Sequence, residues 1–258
     1  MSARELRASF SLASIFGLRL FGMFIILPVF ALYAERLPGW NLTLVGIALG
    51  AYGLTQAILQ VPFGWMSDRL GRKPVLVAGL IVFAAGSAIC ALAQSPWAVI
   101  LGRTIQGAGA ISGVAIAMAG DLTRPSQRTK AMAIIGSTIG VAFAGSFVAA
   151  PFLKNAIGVP GIFALTGVLA LAAVAIVAWV VPDPPPRRHG EAAVPFREVL
   201  RDPELARLNV GIFALHAVLM ALFVVVPLSL VRSGLPSAEH WGMYLGAVGT
   251  GFVLMLPF

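Results

Sequence analysis

An aspartate, three basic residues and two glycines crowd into Gly64-Trp65-Met66-Ser67-Asp68-Arg69-Leu70-Gly71-Arg72-Lys73-Pro74, between two long apolar runs. The chemistry on offer is ion pairing at a membrane boundary. Asp68 lies amid Arg69, Arg72 and Lys73, where a carboxylate pairs with a guanidinium or faces the positive N-terminal end of a helix. Gly64 has no side chain to keep a neighbouring helix away. Gly71 suits a left-handed turn closing one helix, and Pro74 the first turn of the next. The plain alternative is a charged turn that merely follows the bias of basic residues to one side of a membrane.

Polar residues inside apolar runs are the second group with chemistry to do, because exposing them to lipid is penalised. Arg19 falls about 14 Å into the first run at about 1.5 Å per residue. It must face the protein interior, as an anchor to backbone carbonyls or as part of a pathway. Arg103 shares a run with Gln106 and Gly107; a structural or coupling role is favoured there over substrate contact. Tyr52, Gln56 and Gln60 recur every four residues and so share one helix face, which lines a cavity or glues helices together. His216 is the histidine that falls inside a run, as a packed helix contact or a proton carrier. The ten acidic residues, Glu35 included, all fall in connections or at the ends of runs. Proton coupling through the visible residues would therefore rest on His216 or Glu35.

Other chemistries are excluded. The runs hold no His-Glu-x-x-His, paired aspartates or Ser/His/Asp set, and the chain has no G-x-x-x-x-G-K-[ST] phosphate loop. The reading is not an enzyme, with no cofactor and no metal. Cys90 is the single cysteine, so no intrachain disulfide forms.

The elements that must position these residues are membrane helices. Mean hydropathy is +0.93, with 59% hydrophobic and 11% charged residues, against about 25% charge in soluble domains. Apolar stretches of spanning length cover 10–33, 42–66, 75–93, 97–119, 131–153, 161–181 and 208–230, and an eighth starts at Trp241. The fold class is all-α, a polytopic membrane protein. Residues 1–181 make a six-helix transmembrane bundle. Residues 182–207, rich in proline and charge, are a linker in which Phe196, Val199 and Leu200 suit a short interfacial helix and Asp202-Pro203 a helix start. Residues 208–258 are helices seven and eight of an incomplete second bundle. Basic residues gather in alternate connections: Arg4 and Arg7; Arg69, Arg72 and Lys73; Arg124, Arg128 and Lys130; then Arg187, Arg188, Arg197, Arg201 and Arg207. That places the N-terminus and linker in the cytoplasm. The net charge of +8 thus records topology and attraction to anionic lipid, not nucleic acid. The first run is too long for a signal-peptide core.

The segment Gly64–Pro74 resembles the signature loop of the major facilitator superfamily, G-x-x-x-D-R-x-G-R-K. Arg103-Thr104-Ile105-Gln106-Gly107 resembles that family's R-x-x-Q-G motif. Pro28, Asp121-Leu122-Thr123-Arg124 and Ala238-Glu239-His240-Trp241 are similar to YajR-type transporters, and the resemblance runs along the whole chain. It implies the major facilitator fold, cut early in its second half, and alternating access around a central cavity. In such relatives the residues matching Asp68, Arg72 and Asp121 form a charge relay that holds one access state. Gly136, Gly140 and Gly145 match glycines of the antiporter motif, while Val141 and Ala144 depart from it. The implied function is ion-driven, specifically proton-driven, export of small, largely apolar compounds by a monomeric carrier of the bacterial inner membrane. A sensor or scaffold that keeps the fold without transport is the alternative, with a membrane-embedded enzyme behind it.

Overall fold

Apolar stretches of this kind fold as helices because lipid offers no partner for a backbone N–H or C=O. The computed structural model describes residues 1–34, 38–109, 111–184, 201–237 and 239–255. The helices are α1 (Ala3–Phe24), α2 (Leu27–Ala34), α3 (Leu42–Leu70), α4 (Arg72–Leu92), α5 (Pro96–Ala108) and α6 (Ser112–Leu122). A short 3-10 turn (Pro125–Gln127) leads into α7 (Arg128–Trp179), followed by α8 (Pro203–Arg232) and α9 (His240–Met255). Side-chain oxygens of Ser2, Asn41, Ser95 and Asp202 cap α1, α3, α5 and α8 at their N-termini. Pro203 takes the first position of α8 as its sequence suggests.

Three features depart from a simple count of spans. The first span is two helices, α1 and α2, interrupted at Ile25–Ile26. Pro28 lacks the N–H that would continue the ladder, and its ring crowds the carbonyl four residues back. The fourth span is also divided, into α5 and α6, at Gly109. The fifth and sixth spans join in one helical run of 52 residues, which would measure about 78 Å if straight. It doubles back at Gly158, whose φ of 68° and ψ of 175° lie where side chains other than hydrogen are strained. Six helical runs among the described residues are long and apolar enough to cross a bilayer, this one counted once.

α1 and α4 pack along α7, and α5 fits between α3 and α4. Two large apolar clusters fill the interior, beside a small third one of Tyr52, Phe83 and Ala170. One, near the basic connections, joins Leu12, Ile15, Leu76, Met118, Ile135 and Val177. The other, toward the opposite ends, joins Phe30, Val45, Cys90, Phe147, Phe163, Phe223 and Leu228. Only the second includes α8. There the Phe147 and Phe223 rings stack at 5.5 Å, Tyr244 of α9 lies 5.1 Å from Phe147, and Lys154 donates to Ser237 Oγ at 3.1 Å. Toward its basic end α8 leaves Leu208, Val210, Phe213 and Leu215 exposed. The described contacts of α8 with the apolar interior thus lie at the end away from the basic connections.

Candidate functional site

The turn after α3 is set by Gly71, at φ 96° and ψ 153°, a region essentially reserved for glycine. It starts α4 at Arg72, with Pro74 in the first turn, and turns the Arg72 side chain inward until the residue is 6% exposed. Arg72 Nη1 meets Asp68 Oδ1 at 2.7 Å and its Nε donates to Asp121 Oδ2 at 2.9 Å. The same Nη1 donates to Ser67 Oγ. One guanidinium thus ties together the ends of α3, α4 and α6. Its two carboxylates are only partly sheltered, with side chains 45% and 30% exposed. Ser67, itself buried, was not singled out in the sequence, although it lies beside Asp68 in the same turn.

The other loop residues point elsewhere. The Arg69 guanidinium lies 3.9 Å from the Trp65 ring centroid. Lys73 reaches Asp183, just beyond α7, at 2.7 Å, and that contact pulls the Asp183 carboxyl below the usual carboxylate range. Around Gly64 a Cβ would find nothing within 4 Å. No helix of the described residues approaches it, because this face of α3 is turned away from the bundle. A second clasp, absent from the sequence reading, closes the same end. Glu5 accepts from the Arg124 backbone N–H at 3.0 Å, from its Nε at 2.9 Å and from its Nη2 at 3.1 Å, and also caps Ser2. The carboxylate raises the Arg124 pKa further above its ordinary value. The two partners are 119 residues apart in the chain, and only the positive Arg124 beside Asp121 hinted at a role.

Deeper in the bundle, Arg19 and Arg103 are each 2% exposed. Arg19 Nη2 faces the Gly109 carbonyl at 3.2 Å, Tyr52 Oη at 3.2 Å and Gln56 Oε1 at 3.3 Å, while Nη1 donates to Ser112 Oγ at 3.0 Å. The arginine thus adds a second donor, beside the Ile111 N–H at 2.9 Å, to the Gly109 carbonyl where α5 gives way to α6. Broken membrane helices need such a partner. Arg103 lies over the Tyr52 ring at 4.5 Å and donates to Gln106 Oε1 at 3.0 Å; Gln106 in turn donates to Ser87 at 2.7 Å. Gly107 makes room for this, since a Cβ there would collide with the Tyr52 backbone carbonyl. Neither arginine makes an ion pair among the described residues.

The sequence left two readings for the Tyr52, Gln56 and Gln60 stripe. Tyr52 and Gln56 hold Arg19, and Gln60 packs against Gly113, where a Cβ would lie 2.9 Å from its Nε2. The stripe joins helices. His216 lies exposed on α8, its Nδ1 2.9 Å from the Ile212 carbonyl of its own helix; it is not near either arginine cluster. Glu35 and the linker residues Phe196, Val199 and Leu200 lie outside the described residues. No group of His, Cys, Asp and Glu among the described residues could hold a metal.

A polytopic helical bundle with paired, broken spans and a charge-clasped turn between its second and third spans defines a membrane-carrier architecture. Residues 12–258 match the family described as Major Facilitator Superfamily, and the chain belongs to that family. It is 45% identical over 262 residues to the inner membrane transport protein YajR of Escherichia coli (strain K12), covering 100% of this chain and 58% of that protein. An uncharacterized transporter of Buchnera aphidicola subsp. Acyrthosiphon pisum is 35% identical over 263 residues, covering 100% of this chain and 67% of the relative. The multidrug resistance protein MdtH of Yersinia enterocolitica is 35% identical over 131 residues, 46% of this chain and 33% of the relative. Among solved structures, a bacterial homolog of the human lysosomal transporter Spinster, inward-facing and unoccupied, superposes with a TM-score of 0.76 at 17% identity. That likeness covers 93% of this chain and 58% of the other, and shows the fold.

Proposed function

We propose that the protein works as a secondary active transporter of the bacterial inner membrane, moving small, largely apolar compounds outward by alternating access and driven by protons. The observation that carries this reading is the one-ended contact of α8 with the first bundle. Phe223 and Leu228 are buried near one end, while Leu208 and Phe213 near the other stand exposed, as expected of two bodies that rock about a closed seam. Residues 1–181 are then one rocking body, 208–258 belong to the second, and 182–207 link them in the cytoplasm with the N-terminus. The Arg72 network sits at the end where α8 is exposed, at the basic connections that a partner helix would approach on closing. A partner met in only one state biases the balance between states. Export of apolar compounds is supported by the multidrug relative's name alone. The alternative, a sensor that keeps the fold without moving solute, has no observation in its favour.

Whole-cell accumulation of a panel of lipophilic dyes tests the reading. Cells producing the protein should hold less dye than cells without it, and a protonophore should erase the difference. Equal accumulation across the panel would count against export, and a difference that survives the protonophore would count against proton coupling.

A further inference from the structure

A cleft of about 500 Å³ opens at the basic end, between the first turns of α1, the start of α4 and the end of α7. Arg4, Arg7 and Lys73 line it, opposed by the single carboxylate of Asp183. Arg4 donates to the Asp183 carbonyl at 3.0 Å and Arg7 to the Val180 carbonyl at 3.0 Å. The second contact covers the C-cap carbonyl at the negative end of α7, and the first a carbonyl just beyond it; both would otherwise repel an anion. Each uses one of the five N–H donors of a guanidinium, and both arginines remain exposed. Three cations against one carboxylate leave the cleft net positive. Trp179 lines it and is 81% exposed, at a helix end where an indole suits the headgroup layer. Leu6 and Phe10, exposed on α1, add apolar surface nearby.

We propose that this cleft holds the phosphate headgroup of an anionic phospholipid, with Arg4, Arg7 and Lys73 as the donors. Basic pockets between membrane helices on the positive side suit such headgroups. Asp183 is the built-in competitor, because it already occupies Lys73 at 2.7 Å. That competition separates the proposal from a purely structural strap. Arginines that only tie α1 to α7 give no reason for anion affinity to rise when Asp183 loses its charge.

Native mass spectrometry of the full chain, released from detergent containing equimolar phosphatidylglycerol and phosphatidylcholine, tests this directly. The wild-type chain should retain phosphatidylglycerol preferentially. The double substitution R4Q/R7Q should reduce that retention about tenfold or more, and Asp183→Asn should raise it severalfold. Should the double variant lose its helical circular dichroism, Asp183→Asn alone carries the test. Equal retention by wild type and a folded double variant would overturn the proposal, as would weaker retention by Asp183→Asn. A further arm adds inorganic phosphate. Lipid retained against millimolar phosphate supports a membrane ligand, and complete displacement would reassign the cleft to a soluble phosphate and overturn the lipid.

Discussion

Removing Asp121 tests how the seam is held. Asp121→Ala deletes one charge-assisted hydrogen bond, 2.9 Å long, to a guanidinium whose side chain is 7% exposed. Such bonds contribute about 1.5–3 kcal/mol. The Asp121 side chain is itself 30% exposed, so competing water lowers the expected loss to roughly 1–2 kcal/mol. Asp68→Ala should cost less, roughly 0.5–1 kcal/mol, because its side chain is 45% exposed and it is an i,i+4 neighbour of Arg72. Removing both carboxylates is different in kind. It leaves a nearly buried cation without an anion, a change of about 3–5 kcal/mol for a buried pair. The double variant should therefore lose roughly 1 kcal/mol or more beyond the sum of the two single losses. Chemical or thermal unfolding of the four proteins in one detergent measures the cycle. Additivity within about 0.3–0.5 kcal/mol would refute a shared guanidinium.

Three further outcomes follow from the geometry. Gly107→Ala should disrupt the α3–α5 contact and sharply lower thermal stability in micelles, whereas Gly64→Ala, with open space around it, should be tolerated; equal melting of both would remove the close-approach argument. Arg19→Met should destabilise the divided fourth span by leaving the Gly109 carbonyl without its guanidinium, and hydrogen exchange at residues 111–115 should rise; unchanged exchange would show that Arg19 does not lock the break. In the Cys90→Ser background, Ser126→Cys should be labelled by impermeant maleimide in inverted vesicles and not in intact cells, with the reverse pattern placing the basic end outside.

The spans, the turn at Gly71 and the start of α8 at Asp202-Pro203 were legible because hydropathy and capping are local signals. The breaks in the first and fourth spans were not, because averaging over about twenty residues hides a single lost turn. Pro28 was visible as a residue type, but the guanidinium that braces the Gly109 carbonyl comes from α1, 90 residues away. Among the site residues, Asp68 and Arg72 stood out by charge and spacing and Asp121 through the family resemblance, and the structure brings the three together. Ser67 and the Glu5–Arg124 clasp did not, since a serine beside an aspartate and an acid in a first turn are ordinary surface features until tertiary packing buries them. Gly64, by contrast, has open space around it. A glycine in a membrane helix permits close packing without requiring it.

The claim that the chain forms part of a two-state carrier is tested most directly by one distance. Spin labels at Ser126→Cys, on the 3-10 turn at the basic end, and at Leu208→Cys, on the exposed start of α8, should be placed in the Cys90→Ser protein. Double electron–electron resonance should then find two separations, and Asp68→Asn should shift population toward the longer one. The roughly 0.5–1 kcal/mol expected of this solvent-screened pair corresponds to a shift of about two- to fivefold. A single separation, unmoved by Asp68→Asn, would contradict alternating access governed by this seam.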